Sequence, residues 1–192
     1  MGQPAKVLES ADVCRLLSHV RVQRNPARNR VTILLSFKAG LRAAEIAGLD
    51  WHMVLRPDGN LSPHIQVSDQ IAKNRSGRRL PMHPELRSAL LALHHANGRP
   101  IAGPVVRSER GGHMTPRSIV NWFHQLYEKT NLAGCSSHSG RRTFITRSAR
   151  LLAKAGGSLR DVQELAGHRS LVTTERYIEG DRDAQRRLIR LL

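Results

Sequence analysis

Residues 31–49 carry Ile33, Leu34, Phe37, Leu41 and Ile46 inside a chain whose formal net charge is +16. A segment this apolar has to be buried, and the rest of so basic a chain must be arranged around it. The run predicts one central buried helix, weakened by Gly40 and Gly48. Gly40 lies just ahead of Arg42 and is the expected point of a bend or break. At 192 residues there is room for one ordinary domain with a sizeable core, or two small ones.

Helical periodicity dominates elsewhere. Ser10 reads as the N-cap of a helix through Val20, with Val13, Leu16 and Leu17 on one face. The basic stretch 21–30 carries Pro26 and reads as a loop. Between Met53 and His83 the pattern changes to that of a small antiparallel sheet. Pro57-Asp58-Gly59-Asn60 is a turn, residues 64–68 alternate as a strand does, and Asn74-Arg75-Ser76-Gly77 is a second turn. Residues 79–82 then form a short strand ended by Pro81. Helices resume with His83-Pro84 as N-cap and N1 of a helix through Ala96, and Thr115-Pro116 opens another. A third is expected over 139–155, and Ser158 with Asp161 forms a capping box for a fourth. Residues 171–178 carry Tyr177, and 183–192 read as a last short helix. The expected fold is a mainly helical α+β domain over 1–192, with the small antiparallel sheet inserted between N-terminal and central helices and residues 1–9 flexible.

Lysine and arginine number 31 against 15 acidic residues, and the excess is spread along the chain from Arg15 to Arg190, with Lys6 ahead of it. Basic residues interleaved with apolar ones point to a folded electropositive surface, not a charged disordered arm. Such a surface attracts polyanions, long DNA or RNA above all, and on charge alone a generic RNA-binding protein stays open. Cys14 and Cys135 match no metal-ligand spacing and read as free thiols in a reducing compartment. The N-terminus lacks a signal-peptide pattern, and no stretch approaches the roughly 18 apolar residues of a membrane span. A cytoplasmic, nucleoid-associated protein is the expectation.

Several residues carry chemistry. Arg42, inside the apolar run, either pairs with Glu45 one helical turn on or offers its planar fork to a phosphate. His138 and Arg141 share a face near a helix start, an anion-binding position, yet with Arg142 and Arg147 close by they also fit a solvated basic patch. His168 follows Gly167 where a left-handed helix cap is common, and Tyr177 fits a core aromatic with its hydroxyl at the surface. Lys73 lies at the edge of a turn, where it can simply be exposed.

Taken in order, however, these frames form one pattern: Gly40-Leu41-Arg42 with Glu45, Lys73 in a hairpin ended by Pro81, His138 with Arg141, Gly167-His168, Thr173-Thr174 and Tyr177. The pattern resembles the catalytic domain of the tyrosine recombinases, the phage-integrase family, over residues 10–178. The resemblance implies that Tyr177 is a nucleophile, that Arg42 and Arg141 clamp a phosphate, and that His138 is the base. It further implies that His168 holds a non-bridging phosphate oxygen, that Lys73 protonates the departing 5′-oxygen, and that Glu45 supports the site. Arg75, Arg78, Arg79, Arg142, Arg147 and Arg169 are expected on DNA.

The implied activity is site-specific cleavage and rejoining of double-stranded DNA through a 3′-phosphotyrosine, in integration, excision or inversion, with no metal, ATP or other cofactor. The implied assembly is a homotetramer on two DNA sites, monomeric or weakly associated when free, with an accessory DNA-bending or directionality factor. Two departures stand out. Gly140-Arg141-Arg142 replaces the family's usual Leu-Arg-His. The separate helical domain that usually precedes the catalytic one is not expected here, as in the short recombinases that include the fimbrial inverters. The apolar tail of Leu188, Ile189, Leu191 and Leu192 either docks on a neighbouring subunit or packs on its own. A regulator that binds DNA without catalysis, and a type IB topoisomerase with the same chemistry, remain as alternatives.

Overall fold

The computed structural model describes residues 5–177 and Ile189, so the tail helix expected over 183–192 lies outside the described residues apart from that one position. Three helices open the chain: α1 (Ser10–Val20), α2 (Pro26–Lys38) and α3 (Ala43–Gly48). The single long helix expected over 31–49 is therefore two, and the loop expected through residue 30 ends early. Pro26 opens α2 at its first turn, where its fixed φ suits the helix and its missing N–H costs nothing. The break falls at Gly40, whose φ of 62° is left-handed. A side chain there would run into the Phe144 ring. Arg42 is consequently the extended residue that caps α3 and not a residue of a helix interior. At α1 the cap is Glu9, one residue before the expected Ser10, and its N–H bonds the Asp12 carboxylate at 3.2 Å.

Helix α2 is the hub. Every residue from Val31 to Phe37 is buried, and α2 packs against α1, α4 (Pro84–Ala96) and α6 (Ser139–Ala155). Gly140 lets α6 come close, because Ser36 and Phe37 occupy the space its side chain would need. Helix α5 (Pro116–Lys129) covers α3. The sheet has two antiparallel strands, β1 (His64–Val67) and β2 (Arg78–Pro81), with Ile65 opposite Leu80 and Val67 opposite Arg78. Ile65, Val67 and Leu80 point into the core. Lys73–Arg75 in the connecting loop form one turn of 3-10 helix.

Helix α7 (Leu159–Ala166) packs against α6 and β2, and α8 (Leu171–Glu175) packs against α7. There Ile145, Val162 and Ala166 form a second small core, joined by Phe144, Leu152, Leu159 and the Tyr177 ring. Of the residues 1–9 expected to be flexible, 1–4 lie outside the described residues and Leu8 is held in place. Leu8 is fully buried, its N–H bonds Thr143 Oγ1 at 2.9 Å, and its carbonyl accepts from Arg147 at 3.0 Å. Among the described residues no helix is long and apolar enough to cross a membrane.

Gly40→Ala should lower the unfolding free energy by about 2 kcal/mol, from the left-handed backbone and the displaced Phe144 ring. Urea unfolding with an unchanged midpoint would reject this account of the α2–α3 break.

Candidate active site

The carboxylate of Glu45, 0% exposed, is the meeting point of α3 and the hairpin. Its Oε1 accepts from Arg42 Nη1 and Arg78 Nη1, both at 2.9 Å. Its Oε2 accepts from the Arg42 backbone N–H at 2.9 Å and Arg78 Nη2 at 3.0 Å. Burial alone would raise this carboxyl's pKa, but the hydrogen bonds and charges of Arg78 and Arg42 more than offset it and hold it below the usual range. The acid is saturated, while Arg42 lends it only one of its side-chain N–H bonds.

Arg141 projects from α6 into the same region and is 3% exposed, with no carboxylate of its own. Nη1 donates to Gly40 O at 2.7 Å, and Nη2 to Ala166 O at 2.6 Å and to His168 Nε2 at 2.9 Å. Burial first, then the Arg42 charge, lowers its pKa to about 10, so it stays cationic at neutral pH. A guanidinium has five N–H bonds. The Arg141 Nε–H and second Nη1–H have no acceptor among the described residues. Two arginines thus share one carboxylate and a third lies close by with none, and the surplus positive charge sits beside unengaged donors, an arrangement able to receive an anion.

Gly167 ends α7 with a left-handed φ of 63°, and a Cβ there would press on the Arg78 side chain at 2.9 Å. His168 follows it, buried, with Nδ1 3.0 Å from Thr174 Oγ1. Burial, then the charges of Arg141, Arg42 and Arg78, pushes its pKa down to about 4, so the ring is neutral. The Tyr177 ring stacks on it with centroids 5.5 Å apart and planes 27° apart. Thr146 Oγ1 holds the Tyr177 carbonyl at 3.1 Å, and the Arg142 guanidinium lies 6.0 Å above the tyrosine ring.

His138 is the N-cap of α6 at the surface. Partial desolvation, then Arg141, Arg42 and Lys73, holds its pKa below the ordinary value, so Lys73 lies within electrostatic reach of it. Lys73 itself is exposed at the start of the hairpin's 3-10 turn.

The structure thus gathers Arg42, Glu45, Arg141, His168 and Tyr177 into one cluster, with His138 and Lys73 at its edge. In this state His168 Nε2 accepts from Arg141 and is not turned to a phosphate. Of the arginines expected on DNA, Arg75, Arg79 and Arg169 are exposed, and Arg79 approaches His64 Nδ1 at 3.1 Å. Arg142 faces Tyr177, and Arg147 holds Leu8. Arg78 differs most from expectation: its side chain is 6% exposed, grips Glu45, and donates Nε–H to Leu165 O at 2.9 Å. Strand alternation held the signal, since Arg78 shares a face with the buried Leu80. Thr174 was noted only as part of a motif, yet it is fully buried beside His168. Among the described residues no group of three His, Cys, Asp or Glu side chains is placed to hold a metal.

The model of the phage integrase family matches residues 6–183. The chain is 33% identical over 160 residues to the tyrosine recombinase XerC of Myxococcus xanthus, covering 79% of this chain and 50% of that protein. It is 29% identical over 180 residues to XerC of Actinobacillus succinogenes, covering 92% of this chain and 57% of the relative. The chain spans about half the length of the curated relatives it matches. Among solved structures, the Tn1549 transposon integrase in complex with transposon right end DNA superposes with a TM-score of 0.76 at 22% identity, over 100% of this chain and 67% of that one. XerA recombinase gives 0.74 at 20% identity, over 97% and 63%. A lambda integrase tetramer bound to a Holliday junction gives 0.68 at 14% identity, over 93% and 49%. These likenesses identify the fold as that of a tyrosine recombinase catalytic domain.

Glu45→Gln should cost about 3–5 kcal/mol at neutral pH, because it removes the buried charge that Arg42 and Arg78 share. A depressed native pKa contributes stability that is complete above the unfolded glutamate value of about 4.3 and is lost as pH falls through the native value. Wild type and variant should therefore converge in acid. Unfolding free energies whose gap stays constant down the acid limb would rule out Glu45 as the charge that holds the cluster.

Proposed function

The chain belongs to the phage integrase family of tyrosine recombinases, and from that premise we propose that it breaks and rejoins double-stranded DNA site-specifically with Tyr177 as nucleophile. The observation that carries this reading is the surplus of buried guanidinium charge around Glu45, with the Tyr177 ring stacked on His168 beside it. A buried excess of positive charge is costly unless an anion completes it. A phosphodiester is the anion that suits the planar forks of Arg42 and Arg141.

Tyrosine has a free pKa of about 10, so its phenol needs a base. His138, unprotonated at neutral pH, takes that proton as Tyr177 Oη bonds to phosphorus. Arg42 and Arg141 stabilise the charge that builds on the non-bridging oxygens. The bond from phosphorus to the 5′-oxygen breaks, and Lys73 gives that oxygen a proton. The products are a 3′-phosphotyrosine and a free 5′-hydroxyl. The ester keeps the bond energy, and attack by a 5′-hydroxyl runs the same steps backwards. A homotetramer on paired sites is the assembly proposed for strand exchange, in keeping with the neighbours solved on DNA.

A duplex nicked close to the cleavage position should trap a covalent adduct with the wild-type chain, while Tyr177→Phe binds the same duplex and forms none. An adduct that survives in Tyr177→Phe would remove that residue from the role. Its absence in wild type would leave a DNA-binding regulator. Cleavage under sub-saturating DNA reports the free protein. Its acid limb should lie below the ordinary histidine value of 6.5, because desolvation, then the charges of Arg141, Arg42 and Lys73, disfavours protonated His138. A limb above 6.5 would exclude His138 as the base.

A further inference from the structure

The hairpin that carries Lys73 is tied to the rest of the cluster chiefly through Arg78. This residue stands on β2, beyond the 3-10 turn that starts at Lys73, and its side chain is 6% exposed. Nη1 and Nη2 donate to the two Glu45 oxygens at 2.9 and 3.0 Å, and Nε–H donates to Leu165 O at 2.9 Å. One planar group is thereby fixed on α3 at one edge and on the end of α7 at another. Ser76 adds a smaller tie: its hydroxyl donates to Lys73 O at 3.0 Å and lies 3.4 Å from Gly167 O. Among the described residues, Arg78 and Ser76 supply the side-chain hydrogen bonds by which the hairpin reaches other elements.

Ile65, Val67 and Leu80 bury the base of the hairpin, yet two paired strands are marginal by themselves and the Lys73 end is exposed. Lysine is a point charge on a flexible four-carbon stem, so the space its ammonium can reach is set by where the turn's backbone sits. The carboxylate that holds Arg78 also holds the Arg42 N–H and Nη1. A single rigid fork therefore places the lysine's hairpin in register with Arg42 and with the end of α7 that leads into His168.

We propose that Arg78 is a positioning residue for proton delivery: its fork on Glu45 and Leu165, assisted by Ser76, holds the hairpin so that Lys73 meets the departing 5′-oxygen. Arg78 then acts from behind the site and not by contact with DNA. The inference rests on the recombinase reading, with Lys73 as the acid.

The test uses two nicked duplexes that differ in one atom, oxygen or sulfur at the bridging 5′ position. In both, Tyr177 Oη bonds to phosphorus and the bond to the 5′ atom breaks with its electron pair. The oxygen must take up a proton, whereas sulfur leaves as a thiolate, whose acid has a pKa of about 8.5, and needs none. Arg78→Lys keeps the charge but not the fork. It should slow adduct formation on the oxygen duplex roughly tenfold to a hundredfold, the loss expected of a misaligned catalytic group. On the sulfur duplex its rate should return to that of wild type, with DNA affinity little changed, and Lys73→Ala marks the behaviour of a lost acid. An Arg78→Lys chain slowed equally on both duplexes, or on neither, overturns the proposal. If that variant fails to fold, Ser76→Ala takes its place, with a smaller loss confined to the oxygen duplex; a loss on both or on neither overturns the proposal. A Lys73→Ala chain that sulfur does not restore would reject Lys73 as the acid, and a wild-type chain that forms no adduct would reject the recombinase reading. Either result removes the premise and the proposal with it, whereas an unrestored Arg78 variant beside a restored Lys73 variant removes the proposal alone.

Discussion

The carboxylate of Glu45 is the interaction on which the rest of the site depends. It is the only acid in contact with the Arg42 and Arg78 guanidiniums among the described residues, and both its oxygens are fully used. Partial neutralisation is the useful state. With more acid nearby the cluster would be a satisfied internal salt bridge; with none, three like charges could not share a dry space. One carboxylate lets the arginines coexist and leaves them still seeking an anion.

Geometry upstream makes this possible. Because α2 stops short of Gly40, Arg42 stands at a helix start, where its N–H and its side chain both reach Glu45. The carbonyl of Gly40 is freed by the same break and becomes an acceptor for Arg141. At the other side Gly167 leaves Ala166 O open to Arg141 and clears a path for Arg78. Chain breaks at two left-handed glycines thus leave two carbonyls, Gly40 O and Ala166 O, as ligands for one buried cation. Fixed dipoles there cost no reorganisation when charge develops on a substrate.

Much of this was legible beforehand. Pro84, Pro116 and the Ser158–Asp161 box marked helix starts by local chemistry, and the structure places helices there. The break at Gly40 was legible as a possibility, but its sharpness depends on Phe144, a residue far along the chain. Pro26 opens a helix where the sequence suggests a loop, because a proline in a basic stretch looks the same in either place. Arg78 was placed on the surface by charge, although its alternation with Leu80 argued for the interior. The partner that makes an inward arginine tolerable, Glu45, lies on a different element and cannot be found by local pattern. The contact of Arg141 with His168 belongs to the same class, since it joins two elements brought together only by folding.

The carbonyl ligands of Arg141 have a further consequence in the order of synthesis. Gly40 O is made before Arg141, but Ala166 O and His168 come after it. A nascent chain that has reached only Arg141 would have to bury that guanidinium with a single acceptor. The second core of Ile145, Val162 and Ala166 is also incomplete at that stage. The arginine cluster therefore closes only once the tyrosine-bearing segment is in place, so a partly synthesised chain exposes basic surface but not the assembled cluster on which the proposed DNA cleavage rests.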